Sequence, residues 1–471
     1  MATSSIPPVA EKTSVQYGVA DLGLGLTQTL ATFISELTFA TLPDAVVHQA
    51  KRAFVDWLGC ALAGSQHPTV AYLRAGIEEL GENGPIPILG RSERFSRLSA
   101  ALINGQAGHV LDFDDTHMGG VILHASSPIL AALIAASFGK AVSGERFLSA
   151  YVAGFETAVR LGQAAPDHHA GGWHLTGTLG TVGAAAACAN LQGLSAQRCV
   201  AALGIAATQA AGMQQNRGTS CKSFHAGKAA SNGLLSAVLA GQGFSASNEI
   251  LEGKKGFIRI YSSAQSPTKL IDGLGQRWEL LSNGYKPYAC GVVLHPAIDA
   301  MIALSEQLPA GSTHWRQVAS VQLSVNPDAI RITGVQQPGT GLMSKFSIAH
   351  AAAVSFIDQS GGLQQFSDSA PARADVQTFS RHVQVSGLDS LGKDQAQASC
   401  TLTSGEVIRV AIEHARGTHK NPLTDEQLVQ KYLGNIQTLS EREQSAKQLK
   451  ALWQMDTAID AANVFFASSA Q

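Results

Sequence analysis

The sequence predicts a mainly α protein: a large all-helical domain built from both chain ends, with a smaller α+β domain inserted between them. Three observations predict it. Helical apolar spacing runs from Leu26 to about residue 282 almost without strand signals. Strand-type alternation appears between Asn283 and about Arg416. Helical spacing returns between Thr424 and Trp453. The expected boundaries are a loose tail over 1–25, the helical domain over 26–282 plus 417–471, and the α+β domain over 283–416.

The tail carries paired prolines at Pro7 and Pro8. Leu30, Phe33, Ile34 and Leu37 then fall at i, i+3, i+4 and i+7. A second helix opens at Pro43, where a first turn tolerates proline, and ends near Gly64. Further helices are expected over Pro68–Leu80, Ser96–Gln106, Pro128–Lys140, Glu145–Ala165, Leu175–Gln192, Ala196–Met213, Ala226–Gln242 and Asn248–Gly253. Ser143 and Ser247 stand where caps are expected. In the second domain Val318–Val325 alternates as a half-buried strand, with Ala319, Val321, Leu323 and Val325 on the apolar face. Residues 345–357 return to helix. His382–Ser386, Gln397–Thr403 and Val407–His414 read as strands, the last two joined through Ser404-Gly405. Thr424–Leu433 and Glu441–Trp453 complete the helices.

Composition excludes several functions. A net charge of -2 and the lack of a Lys/Arg run give no field for nucleic acid. The cysteines, Cys60, Cys188, Cys199, Cys221, Cys290 and Cys400, include no CxxC pair. That argues against zinc ribbons and iron–sulfur runs, and suits reduced thiols in a reducing compartment. The first 22 residues have no apolar core and no arginine, and the longest uncharged runs are broken by polar residues. A cytoplasmic protein with no membrane span is expected.

Charged residues make up only 14% of the chain, against a usual share of about 25%. Ionisable clusters beside apolar helices therefore stand out. Gly108–Pro128, GHVLDFDDTHMGGVILHASSP, holds Asp112, Asp114, Asp115, Thr116 and three histidines, His109, His117 and His124. Gly171–Thr178 holds His174; Asn216–Ala230 holds Arg217, Lys222, His225 and Lys228; Asn283–Pro296 holds Lys286, Tyr288, Cys290 and His295. No acid occurs between Asp167 and Glu249. Such a segment focuses positive potential in a cleft and suits a di- or tricarboxylate guest.

Structural readings stand beside the functional ones. Lys228 reads as a surface charge, His225 as a helix cap, His174 as a core imidazole, His109 as structural, and His168 and His169 as solvated loop residues. At least one of Asp114 and Asp115 reads as a helix-end acceptor. A metal site drawn from Asp112, Asp114, Asp115, His117 and His124 is the rival reading, but it lacks a second acidic run on a facing helix. No nucleophile elbow or dinucleotide fingerprint occurs. What remains is proton transfer on a carboxylate-rich substrate, with a tuned base and cations for the developing enolate.

At these residues the sequence resembles the MmgE/PrpD family, which includes 2-methylcitrate dehydratase, cis-aconitate decarboxylase and iminodisuccinate epimerase. The resemblance runs from about Leu26 to Trp453. It rests on HVLDFDDTH with the following HASSP, GWHLTGTLG, GTSCKSFHAGKAASNGLL, YKPYACGVVLHP and GTHKNPLTDEQLVQKYLGN. It implies that the α+β domain is a lid, that the active cleft lies between the domains, that the protein is a homodimer, and that neither metal nor organic cofactor is used. Carried over by motif, the catalytic groups fall on Asp112, His124 and His174, and the substrate-binding groups on Thr116, Lys222 and Lys286.

Departures from the decarboxylases are a stretched DFDDT-to-histidine spacing, no tyrosine in Arg331–Pro338, and His350 where tyrosine is common. They favour dehydration of a 2-methylcitrate-like or alkylcitrate-like acid. Decarboxylation, epimerisation through the same enolate, and a non-catalytic carboxylate-binding homologue are the alternatives.

Overall fold

The computed structural model describes residues 25–308, 314–437, 439 and 442–466. Nearly all of the expected tail lies outside the described residues. The protein is mainly α, with a small α+β region.

The first helices are α1 (Leu26–Glu36), α2 (Asp44–Gly64) and α3 (Pro68–Glu79). Pro43 lies just ahead of α2, and Asp44 in the first turn complements the positive helix end. A two-residue ladder of β1 (Ile86–Pro87) and β2 (Arg94–Phe95) precedes α4 (Arg97–Val110), which Ser96 caps at the Ser99 N–H. Then come β3 (Thr116–His117), α5 (Ser126–Ser137), α6 (Gly144–Ala164), α7 (Leu175–Leu191), α8 (Ala196–Ala207), α9 (Ser220–Gly241) and the short α10 (Phe257–Tyr261). Ser143 caps α6 at the Arg146 N–H.

Three expectations change here. The Ala196–Met213 helix stops at Ala207, and α9 begins six residues before Ala226. Asn248–Gly253 forms turns rather than a helix. The two-residue strands carry no periodicity to read.

Small residues set how closely these helices cross. A Cβ on Gly105 of α4 would come within 2.8 Å of Gly227 Cα on α9, and one on Gly227 within 2.1 Å of the Leu102 carbonyl. Gly154 and Gly183 make the same kind of contact between α6 and α7. The Gly and Ala content thus draws α4, α7 and α9 together around one point.

The α+β region starts at β4 (Asn283–Gly284), which pairs antiparallel with β3. It continues with α11 (His295–Ser305), β5 (Val318–Val325), α12 (Pro327–Ile332), α13 (Gly341–Ser344), α14 (Ile348–Asp358), α15 (Ala374–Ser380), β6 (Val383–Gly387), β7 (Ala396–Leu402) and β8 (Val407–Ile412). The sheet order is β6-β5-β7-β8, with β5 and β6 parallel and the rest antiparallel. An irregularity between Val318 and Ser320 flips the start of β5, so Val318 is buried and Ala319 exposed, the reverse of simple alternation. Gly405 takes φ 91° in the β7–β8 turn.

The chain ends with α16 (Asp425–Ile436), α17 (Arg442–Trp453) and α18 (Ala461–Phe466). Thr424 and Gln427 form a reciprocal capping box on α16. Tyr432 of α16 lies on Gly59 of α2, where an added Cβ would come within 3.1 Å of its ring, and Lys431 reaches Asp56 at 2.6 Å. One apolar core joins helices from both chain ends; a second gathers α11, α14 and the inner face of the sheet.

Candidate active site

Asp112 is the centre of the site. It follows the end of α4 in the left-handed region, at φ 51°, one of two non-glycine residues with positive φ among those described. Aspartate tolerates this conformation better than most side chains, and such outliers cluster at functional sites. The turn aims its carboxylate between two ammoniums. Lys286 Nζ donates to Asp112 Oδ1 at 2.5 Å and to its carbonyl at 3.0 Å, while Lys222 Nζ lies 3.0 Å from Oδ2. Burial alone would raise this carboxyl; Lys222 and Lys286 outweigh it and hold it well below the ordinary carboxylate range. Burial lowers both lysines. In Lys286 the attraction of Asp112 and Asp114 reverses the sign; in Lys222 burial wins.

The close α4–α9 crossing brings Lys222 to His109. Lys222 Nζ stands 3.2 Å from His109 Nε2, and His109 Nδ1 lies 2.9 Å from Asp114 Oδ2. The ammonium can only donate, so His109 accepts at Nε2 and donates from Nδ1 to Asp114. His109 therefore belongs to the site, although the sequence pointed to a purely structural residue. Ser127 donates to Asp114 at 2.7 Å, and Ser126 and Asn283 donate to Asp115 at 2.6 and 2.7 Å. Both carboxylates thus anchor the first turn of α5. Burial and the neighbouring Asp114 push Asp115 up to about 7.

His124 is oriented from behind. Its Nδ1 lies 2.9 Å from the Asp115 carbonyl and 2.9 Å from Thr116 Oγ1. A carbonyl only accepts, so Nδ1 carries the hydrogen and Nε2 keeps the lone pair. His174 precedes α7, with its Nδ1 3.0 Å from His225 Nδ1 and its Nε2 buried without a hydrogen-bond partner. Gly177 leaves room for His225: a Cβ there would meet His225 Cβ at 3.1 Å. Burial first, then Lys286 for His124 and Lys222 for His174, push both imidazoles well below their ordinary pKa.

These groups meet at a cavity of about 60 Å³ whose lining includes Asp112, His124, His174, Lys222, Arg217 and Phe346. Thr116 and Lys286 are fully buried and lie one layer deeper. The structure therefore gathers Asp112, Thr116, His124, His174, Lys222 and Lys286 from four separate stretches.

Other expectations change. His168 is buried against Trp173, Phe257 and Tyr261 rather than solvated, and His169 is partly buried, 3.2 Å from Arg217 Nη2. His225 is an internal residue of α9, not a cap. Lys228 is exposed. Five cysteines are buried, but Cys221 is exposed. The residues of the metal reading do not all converge. His117 turns away to the Val121 carbonyl at 3.0 Å. His109, Asp114 and His124 do bring ligand atoms within 4.8 Å of one another. Their facing atoms are already spent on the bonds above, beside the lysine ammoniums.

Sequence reasoning missed Lys345. Its Nζ donates to the Leu111 carbonyl at 2.7 Å and the Ala289 carbonyl at 2.6 Å. Burial, opposed by Asp112, lowers it to about 8. It tied the two regions together next to Asp112, and only its place in the KFSIAH run could have signalled it. His350, from the same run, donates to or accepts at no cavity group; its Nε2 meets the Gln365 carbonyl at 2.8 Å.

No helix among the described residues is long and apolar enough to cross a membrane. The chain is 29% identical over 437 residues to cis-aconitate decarboxylase of Aspergillus terreus, covering 87% of this chain and 88% of that protein. It is 26% identical over 430 residues to human cis-aconitate decarboxylase, covering 87% of each. A cis-aconitate decarboxylase-like protein, oryM, of Aspergillus oryzae is 32% identical over 302 residues, 60% of this chain and 62% of its own length. Residues 28–270 match the MmgE/PrpD N-terminal domain and residues 288–456 the MmgE/PrpD C-terminal domain, so the chain belongs to the MmgE/PrpD family.

Proposed function

We propose that the protein is a lyase that removes carbon dioxide from a cis-aconitate-type tricarboxylate, using its own side chains alone. The observation that carries the reading is the pair Lys222 and Lys286 sharing Asp112 opposite His124 and His174. The names of the relatives support decarboxylation over other lyase chemistry.

In cis-aconitate, loss of carbon dioxide breaks the bond between a methylene and its carboxylate. That electron pair becomes a new double bond, and the old one moves onto the carbon beside a second carboxylate. This carbon then takes one proton. The site needs cations for the developing enolate and a proton donor near carbon. The Lys222 ammonium has three hydrogens, two engaged as described, so it keeps one for the substrate. Lys222 meets a carboxylate at the cavity wall, with Arg217 beside it, and Lys286 adds its charge from the deeper layer. A bound polyanion raises both depressed histidines and makes them competent proton carriers. Asp112 orients the lysines and can receive a proton; Thr116 positions His124.

Dehydration of a citrate-type acid is the second reading. The bare Nε2 of His124 favours it, since a base must take a proton beside a carboxylate while an acid protonates the leaving hydroxide. Ile332, rather than a tyrosine, also lines the cavity from the Arg331–Pro338 segment.

Incubation with cis-aconitate, citrate and 2-methylcitrate, read by mass spectrometry, tests both. Itaconate-type product with carbon dioxide release is expected. Water loss alone would replace decarboxylation by dehydration. Turnover unchanged in His174→Ala or Lys222→Ala would remove the site assignment, where a loss of about 10²–10⁴-fold is expected. The proposed cytoplasmic homodimer is checked by fractionation and by mass in solution.

A further inference from the structure

Lys431 belongs to the last of the sequence motifs, GTHKNPLTDEQLVQKYLGN, and lies on α16, outside the lining of the catalytic cavity. Its Nζ donates to Asp56 at 2.6 Å and also to the Phe113 carbonyl at 2.6 Å, with the Phe113 ring centroid 4.0 Å away. Phe113 directly follows Asp112. On the other side of Asp112, Lys345 donates to the Leu111 carbonyl at 2.7 Å, and Lys286 donates to the carbonyl of Asp112 itself at 3.0 Å. Three successive carbonyls thus each accept from a different ammonium. The lysines arrive from far along the chain, 174, 234 and 318 residues from the carbonyls they meet. Lys286 and Lys345 are buried, and the Lys431 side chain is only 6% exposed.

The turn explains why cations gather there. Helices commonly end on a left-handed residue, and glycine is the usual choice because it has no Cβ. After its cap Leu111, α4 ends on Asp112 in that conformation. A side chain there presses its Cβ toward the following carbonyl, and burial removes the water that would otherwise satisfy these carbonyls. Carbonyls at a helix C-terminus also carry partial negative charge, which suits ammoniums. A lysine bond on each side of Asp112 opposes rotation of both flanking peptides. Either rotation would swing the carboxylate out from between Lys222 and Lys286.

We propose that Lys345 and Lys431 are positioning residues for the reaction: they hold the Leu111 and Phe113 carbonyls so that Asp112 keeps its left-handed turn. Both act from outside the catalytic cavity, and α16 thereby governs the site through the backbone. The proposal rests on the lyase reading above for its turnover readout only.

Lys345→Met and Lys431→Met test it on the full chain. Lys431→Met leaves buried Asp56 without its cation, so Lys431→Met/Asp56→Asn is made as well. Each change is expected to lower kcat about 10–100-fold, with a smaller change in KM, since a displacement of about 1 Å costs up to about 10²-fold. Lys431→Arg, which keeps the charge, should recover most of the loss. In the Asp112→Gly background, where the turn no longer needs holding, the same changes should cost nothing further. Amide exchange needs no turnover: the Asp112 N–H, bonded to the His109 carbonyl at 3.1 Å, should exchange faster in both lysine variants. Equal fold-losses in the two backgrounds, or unchanged exchange at Asp112, would overturn the positioning role and leave Lys431 as an anchor of α16 on α2. Absence of turnover in the unaltered protein would overturn the lyase reading, while the exchange result still decides the role of the two lysines.

Discussion

At the scale of single residues, the site is set by which charges are cancelled and which are not. Asp112 answers two lysines, while His168 answers nothing. Both its ring nitrogens are buried without hydrogen-bond partners, among Trp173, Phe257 and Tyr261. Burial lowers His168 to about 3, against an ordinary 6.5. The unfolded chain therefore binds more protons below pH 6.5, and the stability that neutral His168 preserves is lost as pH falls toward the folded value. By pH 5 the loss is about 2 kcal/mol. His168→Phe is expected to remove that share of the acid sensitivity. Chemical denaturation at pH 7 and pH 5 checks it: the variant's stability should fall less between the two, and an equal fall in both proteins would contradict the assignment. The sequence could not reveal this residue, because a Pro-Asp-His-His loop looks solvated until α10 folds over it.

At the scale of elements, geometry comes from glycine. Gly105 and Gly227 let α4 and α9 cross at backbone contact, which places His109 and Lys222 within 3.2 Å. Gly227→Ala puts a methyl 2.1 Å from the Leu102 carbonyl and must separate the helices. A stability loss of about 1–3 kcal/mol is expected from overpacking. Lys222 would move with α9, so kcat should fall well beyond any loss of folded protein. Thermal unfolding and kcat per folded molecule, measured together, separate the two effects. The helices themselves were legible from apolar spacing, because their length gives periodicity several turns to repeat. The early start of α9 was not, since SCKSFH has no apolar stripe and its helix is held by packing against α4 and α7. The irregularity in β5 was equally hidden, because it depends on the partner strand β7.

At the scale of the whole molecule, the site lies where two apolar cores meet. Asp112, His109 and Lys222 come from the helical part, and Lys286 and Lys345 from the stretch beyond β4. The four chemical stretches were visible as islands of charge in a chain poor in charge. Their convergence was supplied by the family resemblance, because no spacing rule brings residues 112, 174, 222 and 286 together. The acid-free segment supplies Arg217 and Lys222 of the cavity lining. What it could not show was that Asp112, from outside that segment, is seated between Lys222 and Lys286.

That seating has a consequence for a variant that lacks it. Asp112 is a tethered carboxylate seated between two ammoniums. Asp112 cancels one of their two charges and holds both lysines in place. Glycine accepts φ 51° readily, so Asp112→Gly deletes the tether with little backbone strain. The vacated seat is the size of a carboxylate, and two positive charges face it. Formate or acetate added to this crippled variant should restore a measurable part of its turnover with saturable dependence, whereas chloride should not. Equal responses to the three salts would show that the carboxylate has no such seat.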